Sequence, residues 1–151
     1  MSENSVSINR FAQKEKYREC FEGSIRILKY EQMDRVKNDL VEFPRETLEN
    51  EYKGWVDLNQ DVTPAKIARH LAALANHGGG HLVFGFQDDM TPDPKRPTSL
   101  DKYNRDTFTG IVKKYLDPHF QCEVDLVADR TGDKFPVARV PGHGRTPVIT
   151  T

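Results

Sequence analysis

The chain has 151 residues, 22 Lys and Arg against 23 Asp and Glu, a formal net charge of −1 and a hydrophobic content of 36%. That length supports one domain with a real core, and the balanced charge excludes a surface given over wholly to duplex phosphates, which needs concentrated Lys and Arg. No apolar run approaches the roughly 20 residues of a membrane span, so no membrane partner is expected, and the polar start MSENSVSINR lacks the apolar stretch of a secretory signal.

A cytoplasmic, reducing setting is therefore expected, with Cys20 and Cys122 as unpaired small core residues. Residues 1 to about 8 are polar and expected to fray. Residues 9 to 42 contain no Pro and read as helical, in one or two pieces, with Ile25, Leu28, Met33, Val36 and Leu40 as a moderate apolar stripe. Gly23-Ser24 is a plausible break, Ser24 then capping a second helix. Pro44 closes this region.

From Leu48 to Leu58 the residues alternate, which predicts a strand with Glu51, Lys53 and Trp55 on one face and Tyr52, Gly54 and Val56 on the other. DVTPAKIARHLAALANH then predicts a helix with Thr63 as N-cap and Pro64 at its first position. Ile67, Leu71 and Leu74 share a face flanked by Ala68, Ala72 and Ala75. Asn76 to Gly80 stop that helix. HLVFGF is too short and too continuously apolar for a helix and fits a strand covered on both faces.

Residues 87–101 carry three prolines and four aspartates and predict a long exposed loop. NRDTFTGIVKKYL predicts a further helix, with Phe108, Ile111, Val112, Tyr115 and Leu116 inward. FQCEVDLVA alternates with Phe120, Cys122, Val124 and Leu126 inward; DRTGD turns; KFPVARV returns as the second strand of a hairpin. Pro136 points to an edge or bulged position for that second strand. The Gly/Pro-rich end, PGHGRTPVITT, stops on an apolar tail, which suggests a piece of a longer protein with a missing C-terminal domain. The element order predicts an α+β fold, a small mixed sheet with flanking helices.

Three consecutive glycines, Gly78, Gly79 and Gly80, exceed what a helix cap needs. They allow close backbone approach or present free N–H groups to a phosphate. No Lys-Ser/Thr follows them, so this is not a P-loop. His77 and His81 straddle the glycines, no Cys/His cluster exists, and zinc is not expected. His70 reads as a boundary residue of its helix. Glu51-x-Lys53 places a carboxylate and an ammonium on one strand face, a pair that metal nucleases use to hold a divalent ion and to neutralise the scissile phosphate. Mg or Mn wants several oxygen ligands, and Asp88 or Asp89 at the end of a neighbouring strand would supply them. The plain alternative for Glu51 and Lys53 is a surface ion pair.

EYK at 51–53, LANHGGGHLVFGFQDD at 74–89 and VARVPGHGRTPV near the end together resemble the Schlafen-type Alba-like domain, also described as divergent Alba-2. The resemblance covers roughly residues 44–151 and leaves residues 1–43 as an N-terminal helical extension. It implies a nucleic-acid-binding domain, with RNA or DNA as partner and a role in regulation or phage defence, or a metal-dependent endonuclease acting on tRNA-like RNA or on DNA. It also implies a three-carboxylate site: Glu46 and Glu51 match the two glutamates by spacing, and Asp88 stands for the aspartate, displaced because Gly85-Phe86-Gln87 occupies the usual Gly-Val-Asp position. Lys53 would neutralise the scissile phosphate, and Lys66, Arg69, Lys95, Arg96, Lys102, Lys113 and Lys114 would engage the backbone. Trp55 either stacks on an unpaired base or is a semi-buried structural residue. Two other readings stand beside this one: an ATP-binding or sensing module holding phosphate on Gly78 to Gly80, and an assembly domain whose N-terminal helices build a homo-oligomer.

Overall fold

A computed structural model describes the backbone of residues 3–151 and the side chains from Ala12 onward; residues 1 and 2 of the start expected to fray lie outside the described residues. The chain divides into two compact units, residues 1–36 and 37–151. One long helix, α1 (Glu3–Glu42), fills the first unit and supplies the opening turn of the second.

The break expected at Gly23-Ser24 does not occur. A Gly in an exposed helix costs about 1 kcal/mol, too little to interrupt so many good helix formers, and the Ser24 hydroxyl donates to the Cys20 carbonyl at 2.9 Å instead of capping a new helix. Cys20 is exposed on α1, so only Cys122 is the buried apolar cysteine anticipated.

The second unit begins where Leu40 and Val41 turn inward. Strand β1 (Asn50–Lys53) is shorter than its alternation suggested. The side chain of Asp93 ends it: the Trp55 N–H donates to Asp93 Oδ2 at 3.0 Å and bends the chain away after Gly54. Helix α2 (Val62–Asn76) starts two residues earlier than expected, with Asp61 rather than Thr63 at the N-cap and no capping side-chain bond. Strand β2 (Gly79–Phe84), helix α3 (Arg105–Tyr115) and the short β3 (Leu116–Asp117) follow. Asn104 caps α3, its side chain accepting from the Thr107 N–H at 2.8 Å. The expected hairpin is β4 (Glu123–Ala128) and β5 (Lys134–Pro141), and β6 (Ile149–Thr150) pairs with β3.

The main sheet runs β1-β2-β5-β4, with β1 parallel to β2 and the rest antiparallel. It is the small mixed sheet that the element order predicted. Leu82, Phe84, Ala138 and Val140 pack under α2 and α3. Tyr52, Val83, Phe86, Val127, Phe135 and Val137 form a second cluster with Leu40 and Val41. Strand β2 is thus covered on both faces, which explains its unbroken apolar run.

Two expectations fail here. Strand β5 is central, not an edge. Pairing with β2 ends at Val137, so Pro136 sits past the last β2 partner and its missing N–H removes no bond on that side. Leu126 is 44% exposed, while Val127 is buried against the second cluster. Strand β4 lies at the edge, and of its last residues only Val127 is buried, paired with Phe135.

Candidate functional site

The exit from α2 builds the site. Gly78 and Gly79 have φ of +109° and +96°, conformations that residues with a Cβ rarely adopt. A Cβ on Gly142 would lie 2.5 Å from the Gly78 carbonyl oxygen, and one on Gly80 would lie 2.1 Å from the Glu49 oxygen. The three glycines therefore let the end of β5 and the start of β1 close on the head of β2. The His81 N–H donates to the Glu49 carbonyl at 2.7 Å across this contact, and the Gly78 N–H donates to the Ala75 carbonyl at 3.3 Å. The acidic strand lies directly against the glycine-entered strand, Glu51 opposite Leu82 and Lys53 opposite Phe84.

Strand alternation sends Tyr52 into the second cluster and Glu51 and Lys53 to the face that α2 covers. There the Lys53 ammonium lies 2.7 Å from Glu51 Oε1, and His70 Nδ1 lies 3.3 Å from the same oxygen. All three side chains remain about one-third exposed, between 30% and 35%. Desolvation, and then the Lys53 charge, lower the pKa of His70; the charges of Glu51 and Glu46 oppose them. The imidazole is therefore biased toward its neutral form, beside a carboxylate already matched by an ammonium. His70 belongs to the cluster, although its helix pattern marked it only as a boundary residue. The available signal was its spacing of three from Ile67 and four from Leu74, which puts it beside the buried stripe.

Glu46 is exposed on the connection that leads into β1, near enough for its charge to act on His70 and Tyr52. Asp88 is exposed on the turn after Phe86, where it lines an open hollow with Gly54, Phe86, Gln87 and Asp89. Asp89 folds back on Thr91, accepting from its hydroxyl at 2.5 Å and its N–H at 3.0 Å, and these bonds lower its pKa. Among the described residues no three His, Cys, Asp or Glu side chains stand together to hold a metal ion. As placed, Glu51 is engaged by Lys53 and His70, and Asp88 lines the hollow beside Gly54 and Phe86.

Of the basic residues, Lys66 and Arg69 are exposed on α2, Lys66 one turn before His70. Lys95 and Lys102 line a hollow of about 280 Å³ with Trp55 and Tyr103. Arg96 is held in place: its guanidinium lies 5.1 Å from the Trp55 ring centre and 5.4 Å from that of Phe135, and it donates to the Lys134 carbonyl. Lys113 and Lys114 are exposed in the last turn of α3. Trp55 is the structural residue of the two options: its indole N–H donates to the Asp93 carbonyl at 3.0 Å, Phe135 stacks on it, and Arg96 lies over it.

The family model described as "Schlafen, AlbA_2" matches residues 46–142. The solution structure of the N-terminal domain of a RecG-related protein from Nitrosomonas europaea is similar, at 23% identity and a TM-score of 0.49 over 76% of this chain and 80% of that one. Curated proteins give no match.

Proposed function

Since the chain belongs to the Schlafen, AlbA_2 family, we propose that it is a nucleic-acid-binding domain that takes a phosphodiester backbone along the margin between β1 and α2. One observation carries this reading. Lys53 and His70 converge on Glu51 from a strand and a helix, and the same helix presents Lys66 and Arg69 to solvent. On this reading the exposed Lys66 and Arg69, with Lys53 held by Glu51, are the cations that meet phosphates in place of released counterions. The Glu51 carboxylate orients the lysine and the imidazole and repels phosphate that approaches too closely, so the contact is with the outward N–H groups.

The finer activity, Mg- or Mn-dependent cleavage of RNA, asks for carboxylates free to hold the ion, and Glu51 is engaged by Lys53 and His70. Binding through fixed cations needs no free carboxylate, and the geometry supports it better.

The test is fluorescence anisotropy with single-stranded RNA, single-stranded DNA and duplex of one sequence, titrated with KCl. Affinity should fall with salt. The Lys53→Ala/Arg69→Ala pair should weaken all sequences alike and reduce the salt slope by between one and two. Arg130→Ala, at the turn joining β4 to β5, should leave both unchanged. Absence of salt-dependent binding by the unaltered chain overturns the reading. Labelled tRNA incubated with Mn, with and without chelator, addresses cleavage separately: products that vanish with chelator and in Glu51→Ala establish it.

A further inference from the structure

The first unit is a single helix with, among its described residues, no second element to cover it; its exposed apolar side chains gather in one short stripe, with Ile27 and Tyr30 exposed on other faces. Tyr17, Phe21, Ile25 and Leu28 follow one another at spacings of four, four and three, and are 73%, 67%, 36% and 62% exposed. Val36 extends the same stripe at 46% exposure. At 3.6 residues per turn these five side chains fall within an arc of about 100°, the width of a face that packs on a partner. Eleven residues separate Tyr17 from Leu28, a period that keeps a stripe on one side of a nearly straight helix. A lone helix in water is marginal without tertiary packing, and two adjacent exposed aromatic residues on one stripe are more than scattered surface apolarity.

We propose that this stripe is covered by the same stripe of a second copy of the chain, the two helices running antiparallel. Area and charge argue for that occupant. At roughly 150–250 Å² for a fully buried aromatic side chain, the five exposures leave on the order of 500 Å² of apolar surface per helix. Two copies then bury about 1,000 Å², the lower bound of a specific interface. A parallel pair sets Lys14, Arg18 and Arg35 each beside its own copy, three like-charge contacts at the seam. An antiparallel pair centred between Ser24 and Ile25 sets Phe21 across from Leu28 and leaves Lys14 opposite Arg35 only at the two ends. Opposed helix dipoles favour the same orientation.

Sedimentation equilibrium of the full chain at about 100 μM, where an interface of micromolar Kd is populated, should give twice the monomer mass. Phe21→Glu/Leu28→Glu should give the monomer mass while the thermal transition of residues 37–151 is unchanged. Both side chains are exposed, so their loss does not disturb a core. A monomeric unaltered chain overturns the proposal and leaves the stripe to a different protein or a lipid surface. A double variant that stays dimeric also overturns it, because the contact then lies elsewhere. Spin labels on the exposed Cys20 read the orientation, since Cys122 is buried. The antiparallel pair separates the two labelled positions by about 13 Å along the axis, and labels at the same level overturn it.

Discussion

Replacing Gly80 by Ala tests the contact on which the site is built. The added methyl carbon would lie 2.1 Å from the Glu49 oxygen, 2.8 Å from its carbonyl carbon and 3.1 Å from its Cα. All three are backbone atoms, so no flexible side chain can yield. Ordinary contact begins near 3.4 Å, so the chain entering β1 must retreat by about 1.3 Å at Glu49. Overpacking of this kind costs about 1–3 kcal/mol. The retreat also stretches the 2.7 Å bond from the His81 N–H to the Glu49 carbonyl, and a lost hydrogen bond adds about 1 kcal/mol. The expected loss is therefore about 2–4 kcal/mol, read from urea denaturation followed by fluorescence of Trp55. Gly110→Ala supplies the contrast. Gly110 lies inside α3 with nothing within 4 Å of its absent Cβ, and Ala there should stabilise by about 0.5–1 kcal/mol. If Gly80→Ala costs less than Gly110→Ala gains, the close approach of β1 to β2 at Glu49 is wrong. Backbone binding should weaken with Gly80→Ala, because Lys53 moves with its strand.

Three further outcomes are expected. Tyr52→Phe removes the 2.8 Å bond that the buried hydroxyl donates to the Leu40 carbonyl and should cost about 1–2 kcal/mol; an unchanged denaturation midpoint would disprove that anchor. Burial lowers the pKa of both His70 and His81, so the unfolded chain binds more protons than the folded one below the ordinary histidine value near 6.5. Stability should then be fully present above that value and decline as pH falls through it, and His70→Asn/His81→Asn should flatten the profile between about pH 7.5 and 5.5. Burial pushes the Cys122 thiol up to about 12, so a thiol reagent should modify one cysteine, Cys20, in the folded chain and two in denaturant.

The sequence by itself determined the elements that depend on neighbours in the chain. The apolar faces of α2 and α3 and the turn between β4 and β5 are local, because helix and strand periods and turn residues report on the next few positions. Even the family was legible, since Glu51-Tyr52-Lys53 and the glycine-entered strand are contiguous words. Only the tertiary structure decided what faces those elements. His70 joins Glu51 across 19 positions, β5 inserts between β2 and β4, and Asp93 ends β1 from 38 residues away. A period fixes which side chains share a face, but the covering element is chosen by long-range packing and by hydrogen bonds that close only in the folded chain. That is why Glu51 could be singled out from its strand, while its engagement by His70 from the covering helix could not.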